Sequence, residues 1–235
     1  MYVCMYVHVC ACMYVRTYAD TRTHSLLATH TQVNCVTSLA PAAQSKDSAL
    51  IVSGSRDKTL RLWVQDEGGG EGWRSAAVLR AAELGEDRGH SDFVTSAALT
   101  RRGGGALLAS GGADWQVILW DVEHGANTGP LTSLCGHSYA VRCVAFQSAG
   151  AASMMAGGCG PVAGGKVGVC GSGGGGGQMG HMLASGSDDE TVRVWDPRAK
   201  YGGKLQTLQC GSAVLCCCWG GGDMGWLAVG GGTGL

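Results

Sequence analysis

LIVSGSRDKTLRLW at residues 50–63, LLASGGADWQVILW at 107–120 and MLASGSDDETVRVW at 182–195 superpose without a gap. In each copy a Ser stands four residues before an Asp, and that Asp stands six before a Trp. The triplets are Ser53/Asp57/Trp63, Ser110/Asp114/Trp120 and Ser185/Asp189/Trp195. Three fixed positions recurring three times mark an internal repeat, which dictates the architecture before any local reading does. Within each copy the apolar residues alternate. Leu60/Leu62, Val117/Leu119 and Val192/Val194 fall on one strand face, and Arg61/Trp63, Ile118/Trp120 and Arg193/Trp195 on the other. Period-two alternation in runs rich in Val, Leu, Ile and Thr predicts short strands, broken by a tight Ser-Gly-x-x-Asp turn.

Working outward, each copy follows a His and another alternating run. These are His30 with QVNCVTSLA, Gly89-His90 with SDFVTSAAL, and Gly136-His137 with SYAVRCVAF. A further run precedes the next unit: AAVLRA (76–81), PLTSLC (130–135) and KLQTLQC (204–210). Each unit therefore holds four short antiparallel strands. A fourth unit opens with AVLCCCW (213–219) and continues as WLAVGGGTGL (226–235), with Val229 in the place of Ser and Thr233 in the place of Asp.

The Gly-His start, the Ser-Gly-x-x-Asp turn and the closing Trp-Asp at 120–121 and 195–196 resemble the tryptophan-aspartate (WD) repeat family. The resemblance covers about residues 26–235 and implies an all-β propeller of four-stranded blades. The expected repeats are about 26–64, 89–121 and 136–196, with a partial one at 211–235. That makes three full blades and part of a fourth, an incomplete ring. A fragment of a longer protein, completion of the ring by self-association, or an inaccurate gene model would account for it. The first copy departs from the pattern: no Gly precedes His30, and Val64 follows Trp63.

Spacing predicts where the excess chain lies. Trp63 to Trp120 is 57 residues and Trp120 to Trp195 is 75, against roughly 42 per repeat. The first surplus falls within 64–89. The second is 147–181, with 14 glycines in the 31 residues 150–180. Such a run buries too little to offset its backbone entropy and is expected to be a disordered loop between the first two strands of blade three. No G-x-x-x-x-G-K-S/T occurs in it, which argues against a phosphate cradle. Residues 1–15, MYVCMYVHVCACMYV, nearly repeat Cys-Met-Tyr-Val. The tetranucleotide TGTA encodes those four residues in succession, so residues 1–23 read as a low-complexity segment outside the fold. A signal peptide would need a basic start and a small-residue cleavage site, which are missing.

Composition narrows the function. The chain has 235 residues, 41 of them Gly, with 15% charged residues and a net charge of −1. This excludes a strongly basic nucleic-acid surface, and no apolar stretch reaches the roughly 18–20 residues of a bilayer span. The twelve cysteines include no C-x-x-C pair, so they read as small buried hydrophobes of a reducing compartment, cytoplasmic or nuclear, with neither metal nor other cofactor expected.

The recurring His, Ser and Asp imitate a hydrolase triad. A catalytic site need occur once, whereas a structural device recurs in every blade, and no G-x-S-x-G elbow is present. The family resemblance implies that His30, His90 and His137 join their blade's Ser, Asp and Trp in buried hydrogen-bond chains. It further implies that the turn before each Asp and the segment after each Gly-His share one rim. Arg56, Lys58, Phe93, Trp115 and Tyr139 are the partner-binding candidates there, because aromatic and Arg residues on a rigid rim anchor proteins. Phe93 and Tyr139 are expected partly in the core. Trp115 stands in a tight turn where burial is hard, its alternative being to pack on the neighbouring blade. Trp195-Asp196-Pro197-Arg198 matches the W-D-x-R box of WD proteins that serve as substrate receptors of cullin-type ubiquitin ligases, in which Arg198 would contact the adaptor. The same residues also fit an Asp–Arg pair at a strand end. The expected function is a non-catalytic protein-interaction scaffold within a multiprotein complex. The alternatives are the ligase receptor and the propeller portion of a larger enzyme or effector.

Overall fold

The structure, a computed structural model, describes residues 32–39, 49–65, 73–80, 89–102, 105–122, 130–147, 182–199, 203–220 and 226–232. Residues 1–23, His30 and the Gly-rich run 148–181 lie outside these, as do the surplus segments 66–72 and 81–88.

Among the described residues fourteen strands form four antiparallel sheets, each a meander in chain order. The first blade is β1 (Val33–Leu39), β2 (Leu50–Ser55), β3 (Leu60–Gln65) and β4 (Trp73–Leu79). The second is β5 (Val94–Arg102), β6 (Gly105–Gly112), β7 (Val117–Asp121) and β8 (Pro130–Leu134). The third is β9 (Val141–Phe146), β10 (Leu183–Ser187), β11 (Thr191–Asp196) and β12 (Gly203–Gln209). Among the described residues the fourth holds two strands, β13 (Val214–Trp219) and β14 (Leu227–Gly231). The first strands of successive blades, β1, β5, β9 and β13, touch in sequence. The blades therefore pack face to face as an incomplete propeller.

The alternation in the sequence assigns each side chain to one of two interfaces. Val52, Leu60, Leu62 and Leu79 of blade one pack with Val94, Leu108, Ile118 and Trp120 of blade two. The opposite face of blade two, Ala109, Val117, Leu119 and Leu134, packs with Val141, Val144, Leu183 and Trp195 of blade three. Ala184, Val192 and Val194 of blade three then meet Val214 and Leu227 of blade four. Among the described residues no cluster lies within a single blade. Each described core cluster spans two adjacent blades, so the apolar faces of neighbouring sheets cover one another.

The structure corrects the Ser-Gly-x-x-Asp reading. The glycines Gly54, Gly111 and Gly186 lie inside β2, β6 and β10, and the turn begins two residues later. Their small size serves contact between blades. A Cβ on Gly54 would stand 2.7 Å from a methyl of Val94, one on Gly111 2.7 Å from Val141, and one on Gly186 2.4 Å from Val214. Each glycine thus admits the first strand of the next blade.

Two irregularities recur that the sequence does not announce. The pairing of first and second strands skips one residue in every blade: Asn34, Thr95, Arg142 and Leu215. Such a bulge turns the extra residue out of the ladder. Asn34 uses this freedom to donate to the Val94 carbonyl of blade two at 2.8 Å, and the Thr95 hydroxyl donates to the Val141 carbonyl of blade three. The third and fourth strands slip at Leu62/Trp63, Leu119/Trp120 and Val194/Trp195, always at the Trp.

The cysteines are more varied than expected. Cys135 and Cys218 are exposed, whereas Cys35, Cys143, Cys210, Cys216 and Cys217 are half-buried. Cys135 lies just before Gly136-His137, and Cys218 points away from the side occupied by Cys217, so neither reaches an interface. Burial pushes the Cys35 thiol up to about 12. A hydrogen bond with Cys143, together with burial, also raises Cys217. Thiols held protonated in this way are poor nucleophiles.

Candidate functional site

Short polar chains tie each turn to the strand pair below it. In blade two the Trp120 indole N–H donates to Ser110 Oγ at 2.8 Å. Ser110 Oγ lies 2.8 Å from His90 Nε2, and His90 Nδ1 is 2.9 Å from Asp114 Oδ2. In blade three Trp195 Nε1 meets Ser185 Oγ at 2.8 Å, His137 Nε2 meets Ser185 Oγ at 2.8 Å, and His137 Nδ1 meets Asp189 Oδ2 at 2.9 Å. In blade one Trp63 Nε1 donates to Ser53 Oγ at 2.9 Å, while His30 is outside the described residues. Complementarity sets the protons. The carboxylate accepts, so Nδ1 carries the hydrogen, Nε2 accepts from the serine hydroxyl, and the serine oxygen accepts from the indole.

The aspartates also build the turns. Asp114 accepts from the Ser91 amide at 2.9 Å and the Gln116 amide at 3.2 Å. Asp189 accepts from the Ser138 amide at 3.1 Å, the Thr191 amide at 3.0 Å and the Thr191 hydroxyl at 2.6 Å. Asp57 accepts from the Thr59 amide at 3.0 Å and its hydroxyl at 2.6 Å. Burial alone would raise the pKa of Asp189, but the bonds from Thr191, His137 and the Ser138 amide outweigh it and bring it to about 2. Burial opposes and His90 dominates in the same way at Asp114, whose pKa is also lowered. Burial lowers His137, and the Asp189 hydrogen bond only partly offsets it. The imidazole is therefore neutral, as the proton pattern requires.

This order of groups is that of a serine nucleophile, but access is missing. Ser110 and Ser185 are completely buried, and Ser53 is 2% exposed. An indole N–H occupies each hydroxyl oxygen where an attacking lone pair would be needed. The chains fasten the fold and are closed to substrate. Among the described residues no three His, Cys, Asp or Glu side chains gather as metal ligands.

The exposed chemistry lies at the rim formed by the second-to-third-strand turns. Arg56 of the first turn lies 4.5 Å over the Phe93 ring of the segment after His90. Lys58 Nζ donates to the Ser91 carbonyl of that segment at 2.8 Å. Phe93 is half-buried. At the next junction Trp115 of the second turn meets Tyr139 of the segment after His137, ring centroids 6.2 Å apart and inclined at 46°. Trp115 is 51% and Tyr139 60% exposed. Trp115 thus touches the neighbouring blade without being buried by it, and Tyr139 is not a core residue.

Position decides why Trp115 protrudes. Lys58, Trp115 and Glu190 occupy the same place in their turns, and each has a positive φ, 71°, 69° and 64°. Left-handed backbone costs an ordinary L-residue roughly 1–2 kcal/mol. The aspartate bonds hold the turn in this conformation and aim the residue outward.

Arg198 lies elsewhere. It follows the far end of β11, on the rim opposite the turns. Its Nε donates to Asp196 Oδ1 at 3.0 Å and its amide to the same oxygen at 2.9 Å. The guanidinium thus forms an Asp–Arg pair at the strand end, still half exposed. The structure brings five candidates to one rim and separates the sixth.

The family description "WD domain, G-beta repeat" matches residues 21–64, 82–121 and 177–196. The chain is 29% identical over 193 residues to "Ribosome biogenesis protein WDR12 homolog" of Nematostella vectensis, covering 73% of this chain and 38% of that protein. It is 28% identical over 178 residues to "Nuclear distribution protein PAC1" of Gibberella zeae, covering 76% and 29%. Against the solved structure titled "Crystal structure of RRP9 WD40 repeats" the TM-score is 0.52 at 22% identity, over 80% of this chain and 42% of that one. The chain therefore spans less than half the length of these proteins, and the structural likeness is one of fold.

Proposed function

The chain belongs to the WD-repeat family, and from that premise we propose that it is a non-catalytic protein-interaction scaffold, a subunit of a multiprotein complex. The rim of the second-to-third-strand turns is its docking face. The observation that carries this reading is the Trp115–Tyr139 pair, two large aromatic side chains more than half exposed on rigidly hydrogen-bonded turns. Aromatic anchors on a preorganised frame are what protein interfaces use. The buried Ser–His–Asp chains support the absence of catalysis, and thiols held protonated by burial at Cys35 and Cys217 suit a reducing compartment, cytoplasmic or nuclear.

Affinity purification of the tagged chain from its own cells, followed by mass spectrometry, tests this. A reproducible set of proteins is expected with the wild type, and its loss with Trp115→Ala/Tyr139→Ala. A set unchanged in that variant would move the docking face elsewhere. Turnover of a substrate that disappeared with Ser110→Ala in a chain that stayed folded would overturn the non-catalytic reading.

A further inference from the structure

Three times along the chain the same contact joins one blade to the next. A glycine of the second strand, Gly54, Gly111 or Gly186, lies against the first valine of the following blade, Val94, Val141 or Val214. On the same strand Val52, Ala109 or Ala184 shares a core cluster with that valine and with Leu108, Leu183 or Leu227 of the following blade. These nine apolar residues are at most 3% exposed.

The two ends of the row carry the unmatched halves of this contact. On blade four the strand register places Gly230 and Ala228 where Gly186 and Ala184 stand in blade three. A Cβ on Gly230 would meet Cys216 of its own blade and, among the described residues, no valine of another. On blade one the register places Val33 and Ile51 where Val94 and Leu108 stand in blade two. All four are half-buried, whereas their internal counterparts are buried. Val33, Ile51 and Ala228 join none of the clusters formed by the described residues. The opening at blade one is confined to its first two strands, because Trp63 on the third is only 4% exposed. Two strands are also what blade four presents among the described residues.

We infer that blade four of one copy receives blade one of a second copy, with Gly230 and Ala228 against that copy's Val33 and Ile51. A face with the Gly and Ala of this register accepts a strand that starts with Val and a neighbour that offers a large aliphatic residue. This chain carries that set, uncovered, at its other end. The pairing extends a contact that the chain already makes three times within itself. It joins unlike faces, so it is heterologous, and such contacts either close into a ring or grow without end. Two copies carry eight sheets, which falls within the roughly four to eight blades of a closed propeller. The same contact made twice closes the pair. None of the four residues is charged, so burial of apolar surface drives it.

Analytical ultracentrifugation of the full-length chain in a reducing buffer tests the pairing. The average mass is expected to rise from one chain toward two between about 1 and 100 μM and to stop there. Val33→Lys and Ala228→Glu each put an unpaired charge on one face, and each should weaken association at least about tenfold. An equimolar mixture of the two should recover it. One junction is then unaltered and the other sets Lys against Glu, a result that only the pairing of unlike faces gives. Both variants should melt like the wild type at the lowest concentration, because these faces lie open in the single chain. Val33→Thr, of the same shape, replaces Val33→Lys if the latter does not fold, and should weaken association in the same direction. Trp115→Ala/Tyr139→Ala, on the rim, should associate as the wild type does, which separates this surface from the docking face. A single-chain mass at every concentration, association untouched by either substitution, no recovery on mixing, or growth beyond two chains would overturn the inference.

Discussion

Ser110 shows how much one hydroxyl can hold. It is fully buried, accepts from Trp120 and faces His90. Ser110→Ala leaves an indole N–H and an imidazole nitrogen inside the protein with nothing to bond. Each buried unpaired group costs about 1–3 kcal/mol. A loss of about 2–4 kcal/mol is expected, read from the midpoint of urea unfolding. The left-handed turn position predicts the opposite sign. Glu190 accepts from the Cys210 amide through its carbonyl alone, its side chain makes no contact among the described residues, and it sits at φ 64°. Asn tolerates that backbone, so Glu190→Asn should stabilise by about 0.5–1 kcal/mol in the same assay. An unchanged or lower midpoint would mean that the turn stores no strain there.

At the scale of the strand, the decisive residues are small. A methyl on Gly111 would fall 2.7 Å from both the Val141 methyl and Ser96 Oγ. Gly111→Ala therefore forces blade three away from blade two, and overpacking of this kind costs about 1–3 kcal/mol. Val141→Ala in the same chain should recover part of that loss, because it removes the atom struck. Chemical denaturation of the single and double variants checks this, and additive losses would show that the two residues do not meet. This feature was the least legible in the sequence. Ser-Gly before Asp reads as a turn, because glycine usually marks positive φ. Here the constraint comes from Val94, Val141 and Val214, more than 25 residues downstream of their glycines. The bulges at Asn34 and Thr95 were hidden for a similar reason. A bulge shifts one strand against another and leaves no periodic mark of its own. By contrast, the alternation of Leu119 and Trp120 revealed both strand and faces, because its period is that of the pleat.

For the molecule as a whole, protonation links the repeats. The folded pKa of Asp189 is about 2, below its ordinary value of 3.8. Its stabilising effect is therefore present above about pH 4 and lost as pH falls toward 2. His137 is also lowered. It stays neutral in the fold while the unfolded chain begins to take up its proton near pH 6.5. Stability should then decline as pH drops below about 6.5. Both signs agree, so thermal melting between pH 8 and pH 4 should show a falling Tm on the acid side. A Tm that rose on acidification would contradict the neutral imidazole. The rim was readable only in part. Residue types at 56, 58, 93, 115 and 139 suggested binding, but which of them stay exposed depends on neighbours that no local pattern contains. Phe93 has Arg56 above it and is half-buried, whereas Tyr139 meets Trp115 and stays exposed.

The outward residue of each turn is fixed in direction by Asp57, Asp114 or Asp189 rather than by its own side chain, which is why Lys58, Trp115 and Glu190 can differ so widely there. The frame behaves as a row of sockets with interchangeable plugs. Specificity for a new partner could be rewritten one plug at a time, while the locking groups beneath stay untouched.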